Sequence, residues 1–124
     1  MKLNMCRAKI HRATVTETNF DYQGSITIGK NMLRVSGILP FEMIHVNNVT
    51  NGNHWETYVI PGENSQIILN GSPAHHFKKD DVVVIMAIVE VSPVELEDFK
   101  QTIVFVDGDN VVTEVETKLL KDYI

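Results

Sequence analysis

The sequence predicts a mainly β domain, and three observations lead to that prediction. The apolar residues are largely β-branched, they occur in runs of about 4–10 residues, and glycine- and asparagine-rich turn signals separate the runs. Several short strands at this spacing favour a barrel or a sandwich. The predicted strands cover residues 8–18, 26–28, 44–46, 58–60, 67–69, 82–91 and 102–106.

Helical segments are few. Lys30 to Ser36, followed by Gly37, predicts a short helix that ends at the glycine. Residues 93–99 begin with proline, followed by acidic side chains, and predict one or two helical turns. Residues 114–122 are a candidate C-terminal helix, although their valines and threonines have low helix propensity.

Length and charge restrict the classes of function. A chain of 124 residues predicts a single domain, residues 1–124. Lys and Arg number 11 against 16 Asp and Glu, and the net charge of −5 with no basic block argues against nucleic-acid binding. No apolar run approaches the roughly 18 residues of a membrane span, which predicts no membrane association. The first residues lack the apolar region of a signal peptide, so the cytoplasm is the expected location.

Common cofactor motifs are missing from the sequence. The single cysteine, Cys6, excludes an internal disulfide and a CxxC metal site. The scattered glycines form neither of the common phosphate-binding motifs. His75 and His76 are adjacent, and on a strand they would point to opposite faces, so we predict no metal site.

Two polar segments, residues 21–28 and 48–58, are longer than a turn between strands requires. Taken alone, Gly24-Ser25 is an ordinary turn before a strand. Over nearly its whole length, however, the chain resembles the pyruvoyl-dependent aspartate 1-decarboxylases. The matching motifs follow one another in the family's order: Lys9-Ile10-His11-Arg12, Tyr22-x-Gly24-Ser25, Asn48-Val-Thr-Asn-Gly52 with Thr57-Tyr58, Asn70-Gly71 before Ala74-His75, and Asp80-Asp-Val-Val-Val-Ile.

The resemblance implies a fold and an assembly that the strand pattern alone does not specify. The family fold is a six-stranded double-psi β-barrel with short capping helices. The family assembles as a homotetramer with active sites between subunits. Both features are therefore expected of this chain.

The resemblance also implies that the chain cuts itself at the Gly24–Ser25 bond into residues 1–24 and 25–124. The Ser25 hydroxyl would attack the Gly24 carbonyl, and glycine would permit the required backbone geometry because it lacks a Cβ. The hydroxyl of Thr57 is the implied donor to the oxyanion. Elimination and hydrolysis would then leave a covalently bound pyruvoyl group at position 25, with no metal or nucleotide needed.

The implied reaction is the decarboxylation of L-aspartate to β-alanine, which in the family supplies pantothenate and coenzyme A synthesis. The pyruvoyl ketone acts as the electron sink. Tyr58 matches the family's proton donor, and Lys9 matches a residue near the substrate carboxylate. Asn70, Gly71, Ser72 and Pro73 correspond to the loop that binds the amino-acid substrate.

Three positions depart from the family pattern. His54 stands where the family has a carboxylate-binding arginine, and an imidazole cannot reproduce its bidentate fork. Ser72 and Pro73 replace alanines in the substrate loop, and proline removes an N–H group. These changes leave three alternatives open: a decarboxylase of another amino acid, a barrel that neither cuts itself nor catalyses, and an adaptor domain of the same fold.

Overall fold

The computed structural model describes the backbone of residues 1–124 and every side chain except that of Pro73. The chain forms mainly strands, with one α-helix and three short 3-10 helices. The strands are β1 (Leu3–Thr14), β2 (Glu17–Asn19), β3 (Ser25–Gly29), β4 (Met43–Asn48), β5 (His54–Gly62), β6 (Ile67–Asn70), β7 (Val82–Val91), β8 (Lys100–Val106) and β9 (Val112–Leu119). The helices are α1 (Lys30–Ser36) and the 3-10 segments Ser72–His76, Pro93–Leu96 and Leu120–Asp122.

The strands form one mixed sheet in the order β2-β6-β3-β5-β4-β7-β1-β8-β9. The pairs β1–β8, β2–β6 and β3–β5 are parallel, and the other neighbours are antiparallel. The mainly β prediction is confirmed. The expected six strands are instead nine in an open order, so closure into a double-psi barrel stays a prediction.

Two local predictions match the structure at both ends. Strand β7 begins at Val82 and ends at Val91, as the run of mostly β-branched residues predicts. Helix α1 covers Lys30–Ser36, and the Gly37 N–H donates to the Leu33 carbonyl at 2.9 Å, which ends the helix.

Two local predictions need correction. Residues 114–122 are not a helix, because residues up to Leu119 pair antiparallel with β8 and only Leu120–Asp122 forms a 3-10 turn. The strand predicted at 8–18 is interrupted, since the Thr16 N–H turns to bond the Ile67 carbonyl at 2.8 Å. The helical turn predicted within residues 93–99 is confirmed, as a single 3-10 turn at Pro93–Leu96.

One face of the central strands forms the core. Ile26 and Ile28 of β3, Val59 of β5 and Ile85 of β7 are fully buried there. Because side chains alternate along a strand, Ser25 and Tyr58 project from the opposite face. Among the described residues, no helix has the length and apolar character to cross a bilayer.

Candidate active site

Ser25 opens β3 and is only 1 % exposed. Its hydroxyl donates to the Gln23 carbonyl at 2.8 Å and accepts from Asn70 Nδ2 at 3.1 Å. Both polar functions of the hydroxyl therefore have partners, as a buried polar group requires. The oxygen is held next to the Gly24–Ser25 peptide bond.

Asn70 is the last residue of β6, and it lies directly opposite Ser25 in the antiparallel β3–β6 pair. Its Nδ2 group donates to Ser25 Oγ and also to Thr27 Oγ1, both at 3.1 Å. Ser25 and Thr27 are two residues apart on one strand, so their hydroxyls share a face and one amide reaches both. Asn70 thereby ties the start of β3 to the end of β6.

Gly71 packs against Gly24. Its backbone has φ 85° and ψ −165°, a combination that is almost confined to glycine. A Cβ at Gly71 would lie 2.6 Å from Gly24 Cα and 2.8 Å from Gly24 N. The tight backbone approach beside the expected cleavage bond therefore depends on the glycine at 71.

Gly24 itself does not meet the expectation that it supplies an unusual geometry. Its φ is not positive, and no described atom lies within 4 Å of a Cβ built on it. The steric requirement for glycine in this pair of turns lies at Gly71 in the structure.

Tyr58 and Thr57 lie on β5, the parallel neighbour of β3. In this pair Ile26 lies beside Val59, so the preceding residues, Ser25 and Tyr58, are also neighbours. Both point to the face opposite the core. Thr57 is buried and projects from the core face, and among the described residues no hydrogen bond joins its hydroxyl to Gly24 or Ser25. The oxyanion role of Thr57 and the proton-donor role of Tyr58 remain predictions.

Among the described residues, no hydrogen bond joins Lys9 or His54 to Ser25, whose hydroxyl bonds to Gln23 and Asn70. Lys9 lies on β1, and three strands separate β1 from β3, a distance of about 19 Å along the sheet. His54 begins β5, about 13 Å along the strand from Tyr58.

The predicted substrate loop forms the 3-10 helix Ser72–His76, so His75 and His76 lie on a helical turn and not on a strand. Ser72 is exposed, and the Pro73 side chain lies outside the described residues. The Phe20 ring stacks on His75 with ring centres 4.4 Å apart. This contact holds the helical turn beside the Gly24–Ser25 turn.

Sequence reasoning overlooked the polar group that His45, His54 and Glu56 form on the sheet surface. His45 Nδ1 lies 3.4 Å from His54 Nε2, and His45 Nε2 lies 3.5 Å from Glu56 Oε1. The sequence did contain a sign of this group. His45 and Asn47 are two residues apart on one strand, and His54 and Glu56 are two residues apart on the next, so each pair lies on one face of its strand. What the sequence did not supply was the register that places the two pairs opposite each other.

His11 lies on β1, two residues after Lys9. Burial lowers its pKa below the ordinary 6.5, and the positive charges of Lys9 and Arg12 lower it further. Its ring meets Phe105 edge-on, with centres 5.6 Å apart, and Nδ1 is buried without a hydrogen-bond partner among the described residues. His11 is therefore a neutral side chain at pH 7.

Comparisons with known proteins agree with the resemblance seen in the sequence. Residues 1–113 match the family model for aspartate decarboxylase. The chain is 43% identical over 116 residues to the aspartate 1-decarboxylase of Hydrogenobaculum sp. (strain Y04AAS1), covering 94% of this chain and 93% of that protein. It is 42% identical to the aspartate 1-decarboxylases of Clostridium novyi (strain NT), with 93% and 95% covered, and Myxococcus xanthus (strain DK1622), with 95% and 92% covered.

Proposed function

This chain belongs to the aspartate decarboxylase family, and from that premise we propose that it converts L-aspartate to β-alanine and CO₂. We propose further that the reaction uses a pyruvoyl group made from Ser25. The observation that carries the proposal is the buried Ser25 hydroxyl, held by Asn70 beside the Gly24–Ser25 bond.

The residues around position 25 fit such a group. The position is buried, and the Asn70 amide supplies an N–H donor directed at it. An oxygen-rich group at this position would keep a hydrogen-bond partner, which a buried polar atom needs. The pyruvoyl ketone, when present, supplies the electron sink for loss of the carboxylate.

The self-cleavage begins at the Ser25 hydroxyl. Its oxygen attacks the Gly24 carbonyl carbon, and the acyl group moves from the Ser25 nitrogen to the oxygen. The Asn70 N–H that donates to Ser25 Oγ favours negative charge on that oxygen as it gives up its proton. Elimination then breaks the Cβ–Oγ bond and releases residues 1–24, and water replaces the amine of residue 25, which leaves as ammonia.

Tyr58 is the residue we propose to return a proton to the substrate carbon. Its strand position beside Ser25, on the same face, supports that role. Its ring is half-buried, so the phenol stands at the boundary between the protein and the space above β3. A phenol is a competent general acid when it is held next to the reacting carbon.

A homotetramer is the assembly we propose, because one chain separates Lys9 from Ser25 by three strands. Large apolar side chains on the surface support it: Phe20, Tyr22, Leu39, Phe41 and Met43 are all at least half exposed. Within the assembly we propose the double-psi barrel of the family, which the parallel β3–β5 and β1–β8 pairs support. Lys9 of one subunit would then meet the carboxylate of a substrate bound at Ser25 of another.

The test is the formation of CO₂ and β-alanine from aspartate by the purified chain, with a panel of other amino acids and the Ser25→Ala variant alongside. We expect aspartate to be turned over and the variant to be inactive. Turnover of another amino acid in preference to aspartate would overturn the substrate. Activity of the Ser25→Ala variant would overturn the cofactor, and an inactive, uncut wild-type chain would favour a non-catalytic barrel.

A further inference from the structure

Four polar side chains form a compact group on the face of the sheet that points away from the core. His45 and Asn47 alternate along β4, and Glu56 and His54 alternate along β5. The antiparallel register places His45 opposite Glu56 and Asn47 opposite His54. Directly opposed side chains have Cβ atoms about 4.5–5.5 Å apart, so all four meet on one surface.

The spacing of their nitrogen and oxygen atoms suits a transition metal. One ligand atom each from His45, His54 and Glu56 can be chosen so that all three lie within 4.8 Å of one another. His45 Nδ1 lies 3.4 Å from His54 Nε2, and the other ring nitrogen, His45 Nε2, lies 3.5 Å from Glu56 Oε1, so a shared ion requires the exposed Glu56 side chain to rotate toward Nδ1. Ligand atoms about 2.0–2.2 Å from a tetrahedral zinc ion stand roughly 3.3–3.6 Å apart.

Asn47 orients one of the ligands. Its Oδ1 lies 2.6 Å from His54 Nδ1. A carbonyl oxygen only accepts, so His54 carries its proton on Nδ1, and the lone pair of Nε2 is directed at His45. Metal-binding histidines commonly have this second partner, which fixes the tautomer and the ring orientation.

We propose that His45, His54 and Glu56 bind a divalent transition metal ion, with Zn²⁺ as the natural candidate. Two imidazoles and one carboxylate form a donor set that zinc accepts, and the exposed side would leave coordination positions for water or a small anion. Glu56 and His54 are exposed, so small rotations of these side chains are enough to close the site on the ion. Asn47 is a positioning residue, not a ligand.

The test is titration of the untagged full-length protein with Zn²⁺ alone, followed by isothermal calorimetry, with Co²⁺ absorption as a second readout. We expect one ion per chain. His45→Gln, His54→Gln and Glu56→Gln should each weaken binding at least about tenfold, and Asn47→Ala about tenfold, as for outer partners of metal ligands.

Matched controls are His76→Gln and Glu97→Gln, which remove the same groups from other exposed positions. They should bind Zn²⁺ like the wild type, and circular dichroism should show that every variant is folded. Absence of stoichiometric binding by the wild type would overturn the proposal. So would binding that the three ligand variants leave within twofold of the controls. Neither result tests the formation of the cofactor at Ser25, which is read separately from cleavage of the chain on a denaturing gel.

Discussion

The contact between Gly71 and Gly24 allows a sharp test of how the fold holds the cleavage bond. In Gly71→Ala, the new Cβ would stand 2.6 Å from Gly24 Cα, whereas ordinary contacts begin near 3.4 Å. Gly24 must therefore move by about 0.8 Å, and a displacement of about 1 Å at a reacting group can slow a reaction about 100-fold. We expect cleavage at Gly24–Ser25 to slow by about that factor.

The same substitution should also destabilise the fold. Holding alanine at the backbone angles of Gly71 costs about 1–3 kcal/mol, and the contact with Gly24 adds to it. We expect a total of roughly 3 kcal/mol, which lowers the Tm of a chain of this length by about 12 °C. The Tm values should be compared between Ser25→Ala chains with and without Gly71→Ala, because neither chain is cut and cleavage then does not affect the Tm.

Gly52→Ala is the matched control for this prediction. Gly52 also has a positive φ, of 80°, but no described atom lies within 4 Å of its added Cβ. It should lose only about 1–2 kcal/mol of stability and keep the wild-type cleavage rate. The rates are measured from the band pattern on denaturing gels over time. If Gly71→Ala cleaves as fast as Gly52→Ala, the contact does not position the cleavage bond.

The remaining predictions concern stability. Asn70→Ala removes the amide from Ser25 Oγ and its neighbouring hydroxyl, and should lower the free energy of unfolding by about 1–3 kcal/mol in urea titrations. The lowered pKa of His11 means that the unfolded chain binds its proton more readily, so stability is fully present above pH 6.5 and falls on acidification. In His11→Phe, the Tm should change less with pH between about pH 8 and pH 5 than it does in the wild type. Glu42→Gln breaks the half-buried pair with Arg7, and should lower Tm more than the exposed Glu97→Gln.

Much of the local structure could be predicted because local preference and tertiary environment agree there. Val82 to Val91 is mostly β-branched and lies between two strands, and Lys30 to Ser36 is followed by a glycine that terminates the helix. The helix predicted at residues 114–122 was wrong because this segment pairs with β8, a contact that no local window of sequence contains. Its valines and threonines suit that strand.

The site could be predicted only in part, and for a topological reason. Ser25, Asn70 and Gly71 meet within one chain because β3 and β6 are paired neighbours. Lys9 belongs to the same predicted site but lies three strands away, and a sequence does not contain the order of strands in a sheet. The His45–His54–Glu56 group was missed for the related reason that register decides which side chains face each other.

The central claim is that the chain makes its cofactor from Ser25, and intact mass under denaturing conditions tests it most directly. The account predicts two fragments, residues 1–24 and 25–124, with the larger one lighter by one ammonia molecule than simple hydrolysis would leave it. The Ser25→Ala variant should give a single species of 14.0 kDa. A wild-type chain that stays uncut while releasing CO₂ from aspartate would contradict the account.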